Sequence, residues 1–180
     1  MEAAFAWLGQ SVEWFGKFIP RWIILDTTMG MIKFVKGQPI ACAPGAIYWY
    51  WPVTTTIKEV PVVRQADDLR TQTVVTKDGR VIIVGGMLIS EITDIIKFAA
   101  LNYDGPTTIV EMGLAAIHDV CCRLTWEELQ AKQRDGSLDR DLRDAARSEL
   151  RSYGVKVLKL MLTDLAPARA LRLVQSNQEG

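Results

Sequence analysis

The feature that most constrains the fold is a pair of β-rich runs within residues 71–90, "TQTVVT" and "RVIIVGGMLIS", with Asp78 and Gly79 between them. An Asp-Gly dipeptide between two such runs is a strong β-hairpin signal, because glycine readily adopts the left-handed backbone of a tight turn. Shorter β-rich runs precede the hairpin from Trp22 onward and are separated by glycine and proline. Residues 22–92 are therefore predicted to form an antiparallel sheet.

The pattern becomes helical after residue 92, and one further strand follows the helices. Four helices are predicted, and their ends have recognisable capping residues. Thr93 caps the first, which runs through Leu101, and Pro106 lies in the first turn of the second, which runs to about Cys122. Thr125 to Glu128 form a capping box at the start of the third, and the fourth is capped by Ser137 and ended by Gly154. Residues 155–162 predict a final strand, and a short basic helix and a polar tail are expected after Pro167. The fold class is therefore α+β, an antiparallel β-sheet followed by packed helices and a final strand.

The first 22 residues predict an amphipathic helix. At about 100° per residue, Gln10, Glu13, Lys17 and Arg21 form a narrow polar stripe, and apolar and aromatic residues cover the other sides. This pattern is typical of a helix that lies in the membrane interface. The candidate membrane-contact residues are Phe5, Trp7, Leu8, Val12, Trp14, Phe15, Phe18, Ile19 and Trp22.

Two other interpretations of the N-terminal segment stay open. A helix of about 20 residues is long enough to cross a bilayer if neighbours in an oligomer shield Glu13 and Lys17. Alternatively, the segment packs into the core of a soluble domain or dimer. Because 21 Lys and Arg balance 21 Asp and Glu, membrane contact is expected to rest mainly on apolar burial, and no nucleic-acid partner is predicted.

The residue pattern predicts a protein that is not an enzyme and holds no cofactor or metal. The single histidine, His118, lies in a predicted helix, and no second imidazole accompanies it and the nearby Cys121. The common nucleophile, zinc-protease and phosphate-loop motifs do not occur. The chain has three cysteines, Cys42, Cys121 and Cys122, and this odd number favours a reducing compartment. The thiols are expected to be buried, and the alternative is that they take part in lipidation or redox chemistry.

A strongly charged helix is predicted at residues 138–151. Its apolar residues, expected to face the sheet, are Leu138, Leu142, Ala145, Ala146 and Leu150. Asp139/Arg143 and Arg140/Asp144 have the i,i+4 spacing of helical ion pairs. The polar side is either a solvated face or a self-complementary edge between protomers. The candidate oligomer-interface residues are Asp139, Arg140, Arg143, Asp144, Arg147 and Arg151.

Two shorter segments have open alternatives. In "YWYW" at 48–51, the tyrosines and the tryptophans face opposite sides of a strand, so one pair is expected in the core and the other at the surface. "KDG" at 77–79 is either a plain turn or a tip that touches the bilayer or a neighbour.

Several ordered segments between about residues 25 and 174 resemble the SPFH or band 7 superfamily, which includes stomatins, prohibitins and flotillins. The matching segments are "GMIKFVKG", "APGAIYWYWP", "QTVVTKDGRVIIVGGMLISEITD", "TTIVEMGLAAIHDVCCRLTWEELQ" and "RSELRSYGVKVLKLMLTDL". The third, with its Thr-Lys-Asp-Gly core, is the most specific, and the Tyr-Gly of the last segment is next. The resemblance implies an SPFH-like domain at 26–165, preceded by a membrane-associating helix at 1–25 and followed by a short helix and polar tail at 166–180.

The resemblance also implies a function. Relatives are membrane-associated proteins that form homo-oligomers, some of them rings, and the expected role is a scaffold that organises membrane microdomains or corrals membrane proteins. The alternative is a regulatory adaptor of a membrane protease or channel. The expected location is the membrane, with the main domain on the cytoplasmic side. Relatives usually continue into a long coiled coil, which this chain lacks, so large closed cages are not expected.

Overall fold

The computed structural model describes residues 19–102 and 104–168 of the 180-residue chain. Within them the elements are β1 (Arg21–Ile24), β2 (Met29–Val35), β3 (Gln38–Cys42), β4 (Ile47–Tyr50), β5 (Thr55–Pro61), β6 (Gln65–Val75), β7 (Val81–Ile92), α1 (Ile95–Leu101), α2 (Gly105–Arg123), α3 (Trp126–Asp135), α4 (Ser137–Leu150), a 3-10 turn (Arg151–Tyr153) and β8 (Val155–Pro167). The predicted α+β order of strands, then helices, then a final strand is confirmed.

The chain divides into two compact units. The first unit comprises residues 1–65, 90–105 and 150–156, and the second comprises 66–89, 106–149 and 157–180. Strands β7 and β8 contribute residues to both units.

The first unit contains two small antiparallel sheets. In one, β1 pairs with β4, with Trp22 opposite Trp49 and Ile24 opposite Ile47. In the other, β2 lies between β3 and β5. The sheets share a core of three buried residues, and partly buried residues from both pack against it: the core is Leu25, Met31 and Cys42, and the surrounding residues are Ile23, Met29, Tyr48 and Ile57. Helix α1 contacts β2 and β3.

The second unit packs helices against strands of the β6-β7-β8 sheet. The predicted hairpin at Asp78-Gly79 joins β6 to β7, and Gly79 has the left-handed φ of +78° that such a turn needs. The close approach of α2 depends on Gly86 of β7 and Gly113 of α2. A Cβ at Gly86 would lie 2.9 Å from Ile117 Cδ1, and one at Gly113 would lie 3.2 Å from methyl groups of Leu69.

Several predictions about the strands are corrected. The strands of residues 22–92 divide among three sheets instead of one, since β1-β4, β3-β2-β5 and β6-β7-β8 are separate sets. The predicted N-terminal helix does not extend through Trp22, because Arg21 and Trp22 pair with β4 as strand β1. Residues 1–18 of that predicted helix lie outside the described residues. The final strand is longer than predicted and ends at Pro167. The predicted basic helix and polar tail after residue 168 also lie outside the described residues.

The helix caps are partly as predicted. The capping box of α3 is confirmed, with Glu128 N donating to Thr125 Oγ1 and Thr125 N donating to a Glu128 carboxylate oxygen. The cap of α1 is Asp94, whose carboxylate accepts from Lys97 N at 3.0 Å, and not Thr93. The Thr93 hydroxyl donates instead to the Gly154 carbonyl.

Both ends of α4 lie at other residues than predicted. Ser137, predicted as its cap, is its first residue. The helix ends at Leu150, and a 3-10 turn separates it from Gly154, which has the predicted left-handed φ, +76°.

Candidate functional site

The most prominent surface feature is an exposed apolar and aromatic side of the β1-β4 sheet, here called the aromatic face. It consists of the cross-strand pairs Trp22/Trp49 and Ile24/Ile47. The side chains of Trp22 and Trp49 are 67% and 64% exposed, and both isoleucines are also exposed. The two indole rings lie 5.8 Å apart between centroids at an interplanar angle of 32°. Trp51 and Val53, directly after β4, extend the exposed apolar residues along the chain.

Strand alternation explains why these residues are at the surface. Ile23 and Tyr48, which lie between them in β1 and β4, pack against the Leu25 core cluster. The Tyr48 hydroxyl also donates to the Ala43 carbonyl at 3.0 Å. The question that "YWYW" leaves open in sequence thus has an answer: the tyrosines are partly buried, and Trp49 and Trp51 are exposed.

A lysine is held against the strand that contains Trp49. Lys33 Nζ donates to the Trp49 carbonyl at 2.8 Å and lies 4.6 Å from the centroid of the Tyr48 ring. Both contacts keep the ammonium group at β4, since a cation over an aromatic ring is attracted by the ring face. A positive charge is therefore fixed at β4 beside the Tyr48 ring, which lies on the opposite side of the strand from the Trp49 ring.

Comparison with known families identifies the fold that presents this surface. The model of the SPFH domain / Band 7 family matches residues 23–178. The chain belongs to the SPFH domain / Band 7 family. No curated protein matches the chain. Band 7 proteins are generally membrane-associated scaffolds without enzymatic activity.

The predicted membrane-contact residues of this Band 7 protein fall into two groups. Ile19 and Trp22 are described, and both are exposed. The others lie outside the described residues: Phe5, Trp7, Leu8, Val12, Trp14, Phe15 and Phe18. None of the helices in the described ranges is long and apolar enough to cross a bilayer.

Sequence reasoning missed two members of the aromatic face, Ile24 and Ile47. Their signal is present as an alternation with Trp22 and Trp49, but it is visible only once β1 is known to pair with β4. In the sequence, Trp22 is both the last residue of the predicted helix and the first of a β-rich run, and neither pattern indicates that it lies opposite Trp49.

Helix α4 has the predicted amphipathic character but not the predicted ion pairs. Leu138, Leu142, Ala146 and Leu150 are buried, and Ala145 is partly buried. Neither predicted i,i+4 pair forms among the described residues: Arg143 contacts Asp144 at 3.0 Å, and no ion pair is present at Asp139 or Arg140.

The other candidate interface residues differ in position. Arg147 is exposed on α4, and Arg151 lies in the 3-10 turn that follows. Asp144 borders a surface depression of about 360 Å³ together with residues of α2 and α3, among them Asp119, Arg123 and Lys132. Asp119 pairs with Arg123, and Lys132 pairs with Asp141.

The cysteine and histidine side chains do not form a recognisable reactive site in the described part of the chain. His118 contacts Cys122, with Sγ 3.6 Å from Nε2, and not the predicted neighbour Cys121. Cys121 is buried, and this burial raises the pKa of its thiol to about 11, which keeps it protonated and unreactive at neutral pH. Cys42 is also buried. No group of three or more metal-ligating side chains is found within residues 19–102 and 104–168.

The "KDG" turn makes several contacts within its own unit. Lys77 N donates to the Leu124 carbonyl at 3.0 Å, and Trp126 N donates to Asp78 Oδ1 at 3.2 Å. The Thr76 hydroxyl also donates to Asp78, and this hydrogen bond is the main reason that the pKa of Asp78 lies below its ordinary value. These contacts favour the interpretation of this segment as a structural turn that holds the start of α3.

Proposed function

We propose that this Band 7 protein is a membrane-associated scaffold whose protomers associate laterally on the bilayer and organise microdomains or corral membrane proteins. Family membership supports the general role. The observation that favours direct membrane contact is the aromatic face, whose tryptophans and isoleucines are exposed without a partner among the described residues.

The physical argument rests on the residue types of the aromatic face. Exposed apolar patches mark surfaces that contact another protein, a ligand or a lipid phase. Tryptophan favours the membrane interface because its ring is apolar and its indole N–H can reach water. Two tryptophans paired across strands, with two isoleucines beside them, would insert into the headgroup region as one rigid surface.

Lateral association would strengthen a weak individual contact. A single two-stranded surface buries little area, so one protomer is expected to bind reversibly. An oligomer joins many such contacts, and its overall affinity exceeds that of each one. The residues proposed to lie between protomers are the charged ones of α4 and the turn after it: Asp139, Arg140, Arg143, Asp144, Arg147 and Arg151.

The test is flotation of the full chain with phospholipid vesicles. We expect Trp22→Thr with Trp49→Thr to reduce vesicle binding about tenfold, since two aromatic anchors are removed while β-propensity is kept. The matched control is Val75→Thr with Val81→Thr, which removes two other exposed apolar side chains from β6 and β7 and should leave binding unchanged.

Thermal melts of both variants check that the fold is retained. If the full chain does not float with any vesicle, the membrane role is wrong. If it floats and the tryptophan variant floats equally well, the aromatic face is not the contact. The second role, an adaptor of a membrane protease or channel, stays a prediction from the family resemblance, and no observation in the structure favours it.

A further inference from the structure

In the second unit, strand β7 has one side packed against helices and another side with exposed apolar residues. Ile82 and Val84 are fully buried, whereas Val81 and Ile83, which alternate with them, are 43% and 39% exposed. A Cβ at Gly86 would meet a side chain of α2, so α2 lies on the side of Ile82 and Val84. Val81 and Ile83 therefore point away from α2.

The second of these sides extends onto the neighbouring strands β6 and β8. Val75 of β6 flanks the same β6–β7 turn as Val81 and is 51% exposed. A Cβ at Gly85 would lie 3.0 Å from Asp164 Oδ2, so the Asp164 carboxylate of β8 lies on this side too. Asp164 is exposed and forms no ion pair with any described residue. We call this surface the open side of the sheet, defined by Val75, Val81, Ile83 and Asp164.

The described chain ends at the open side. Strand β8 ends at Pro167, and the backbone N–H of Ala168 donates to the Val81 carbonyl at 2.9 Å. The last described residue therefore lies next to one of the exposed apolar residues. Residues 169–180, which belong to the same unit, start from this position.

The sequence directly after Ala168 is amphipathic. At about 100° per residue, the four apolar residues of "RALRLV" at 169–174 fall within an arc of about 160°, and Arg169 and Arg172 fall on the other side. A helix this short is not stable alone in water. Its apolar side needs a surface to pack on, and the nearest described one is the open side.

From this arrangement we infer that residues 169–174 fold back as a short helix onto the open side of the same protomer. Six helical residues span about 9 Å, enough to cover Val81 and Ile83, whose separation along the strand is about 7 Å. The two arginines also bring positive charge to the surface that contains the unpaired Asp164. The direct covalent link gives the segment a high effective concentration at its own sheet, which favours this site over the sheet of a second copy.

The inference is independent of the proposed membrane role. Apolar sheet surfaces left uncovered invite contact with other chains. A docked segment would cover this one and keep it out of contacts between protomers.

The test is hydrogen exchange of the full chain, followed by mass spectrometry. We expect the amides of residues 170–174 to exchange at least about tenfold more slowly than in an unstructured peptide of the same sequence, because docking protects them. Val81→Thr with Ile83→Thr should remove most of this protection while keeping β-propensity. Leu171→Gln with Val174→Gln should remove it as well, and this pair leaves the sheet unaltered.

The matched control is Ile40→Thr with Val63→Thr, which makes the same two substitutions at exposed residues of the first unit and should leave the protection unchanged. Thermal melts check that each variant is folded. Exchange of residues 170–174 at the rate of the unstructured peptide in the unaltered chain would overturn the inference. Full protection in the folded Val81/Ile83 variant would place the segment elsewhere and would also overturn it. Protection that increases with protein concentration would identify a second copy as the docking surface and overturn the assignment to the same protomer.

Discussion

At the scale of single residues, Asp78 illustrates how one side chain can serve several elements. Its carboxylate accepts from the Thr76 hydroxyl and from Trp126 N, and it pairs with Arg80 at 3.1 Å. It therefore closes the β6–β7 turn and also supports the first turn of α3. These interactions need the ionised form, and this is why the pKa of Asp78 lies below its ordinary value of 3.8.

The stability that Asp78 contributes is therefore expected to depend on pH. A carboxyl group with a lowered folded-state pKa stabilises the fold above its unfolded pKa, and the contribution is lost as pH falls through the folded pKa. We expect Asp78→Asn to lower the melting temperature at pH 7, with the difference from the unaltered chain shrinking below about pH 3.8. Thermal melts of both chains from about pH 2.5 to about pH 7 measure this difference in melting temperature. Asp68→Asn, at an exposed residue of β6, is the control, and a difference independent of pH would contradict the assignment.

Local residue patterns predicted caps only where the capping contact is itself local. The Thr125 capping box was predictable because both of its hydrogen bonds lie within four residues. At the start of α1, Thr93 and Asp94 are both suitable caps by type. The Thr93 hydroxyl is engaged by the carbonyl of Gly154, 61 residues away, and a contact at that distance has no local sequence signal.

At the scale of elements, the sequence predicts where strands and helices lie and in what order, but it does not predict which strands share a sheet. Alternation and turn residues locate each strand, but they do not specify which strands pair. Strand β1 is the clearest case. Its first two residues, Arg21 and Trp22, continue the pattern of the helix predicted for residues 1–22, and the pairing with β4 is a long-range choice that determines the whole aromatic face.

The packing of α2 on β7 gives a test at the same scale. A Cβ at Gly86 would lie 2.8 Å from the Met161 carbonyl oxygen and 2.9 Å from Ile117 Cδ1, so backbone or helix must shift. A Cβ at the adjacent Gly85 would lie 3.0 Å from a side-chain atom of Asp164 and 3.0 Å from one of Thr71. Both of these side chains can rotate away.

We therefore expect Gly86→Ala to lower the free energy of unfolding by about 1–3 kcal/mol, the usual cost of overpacking. Gly85→Ala, one residue along the same strand, should cost clearly less, since only mobile side chains have to move. Urea unfolding of both variants measures the difference. Equal costs would mean that the Met161 carbonyl of β8 and the Ile117 side chain of α2 do not lie as close to Gly86 as the structure describes.

At the scale of the whole molecule, the charged helix bears on assembly. The predicted ion pairs within α4 do not form, because Arg143 pairs with the adjacent Asp144. Among the described residues, no ion pair is present at Asp139, Arg140 or the exposed Arg147. Charges on an exposed helical face that are not neutralised within the protomer are available to a neighbouring copy. Sequence spacing identified the right helix and its buried side, but it could not predict the rotamers that decide the pairing.

We expect Arg143→Glu with Arg147→Glu to abolish assembly and to retain the folded protomer. The double charge reversal makes the polar side of α4 strongly acidic, and like charges across a contact oppose association. Electron microscopy of the detergent-extracted protein distinguishes rings from single protomers. Arg134→Glu with Lys159→Glu makes the same change in net charge elsewhere and should assemble normally; unchanged assembly in the α4 variant would identify that side as merely solvated.

The tryptophan pair on the β1-β4 sheet has an optical consequence. Two indoles 5.8 Å apart at a fixed angle couple electronically, so the far-ultraviolet circular dichroism of the chain should contain an exciton contribution from Trp22 and Trp49. Their emission should also shift to shorter wavelength when they leave water, because both rings are mostly exposed in the free protein. In a variant that keeps only Trp22 and Trp49 of the six tryptophans, the surface proposed to meet the lipid is its own spectroscopic probe, and brominated lipids would report its depth in the bilayer without any attached label.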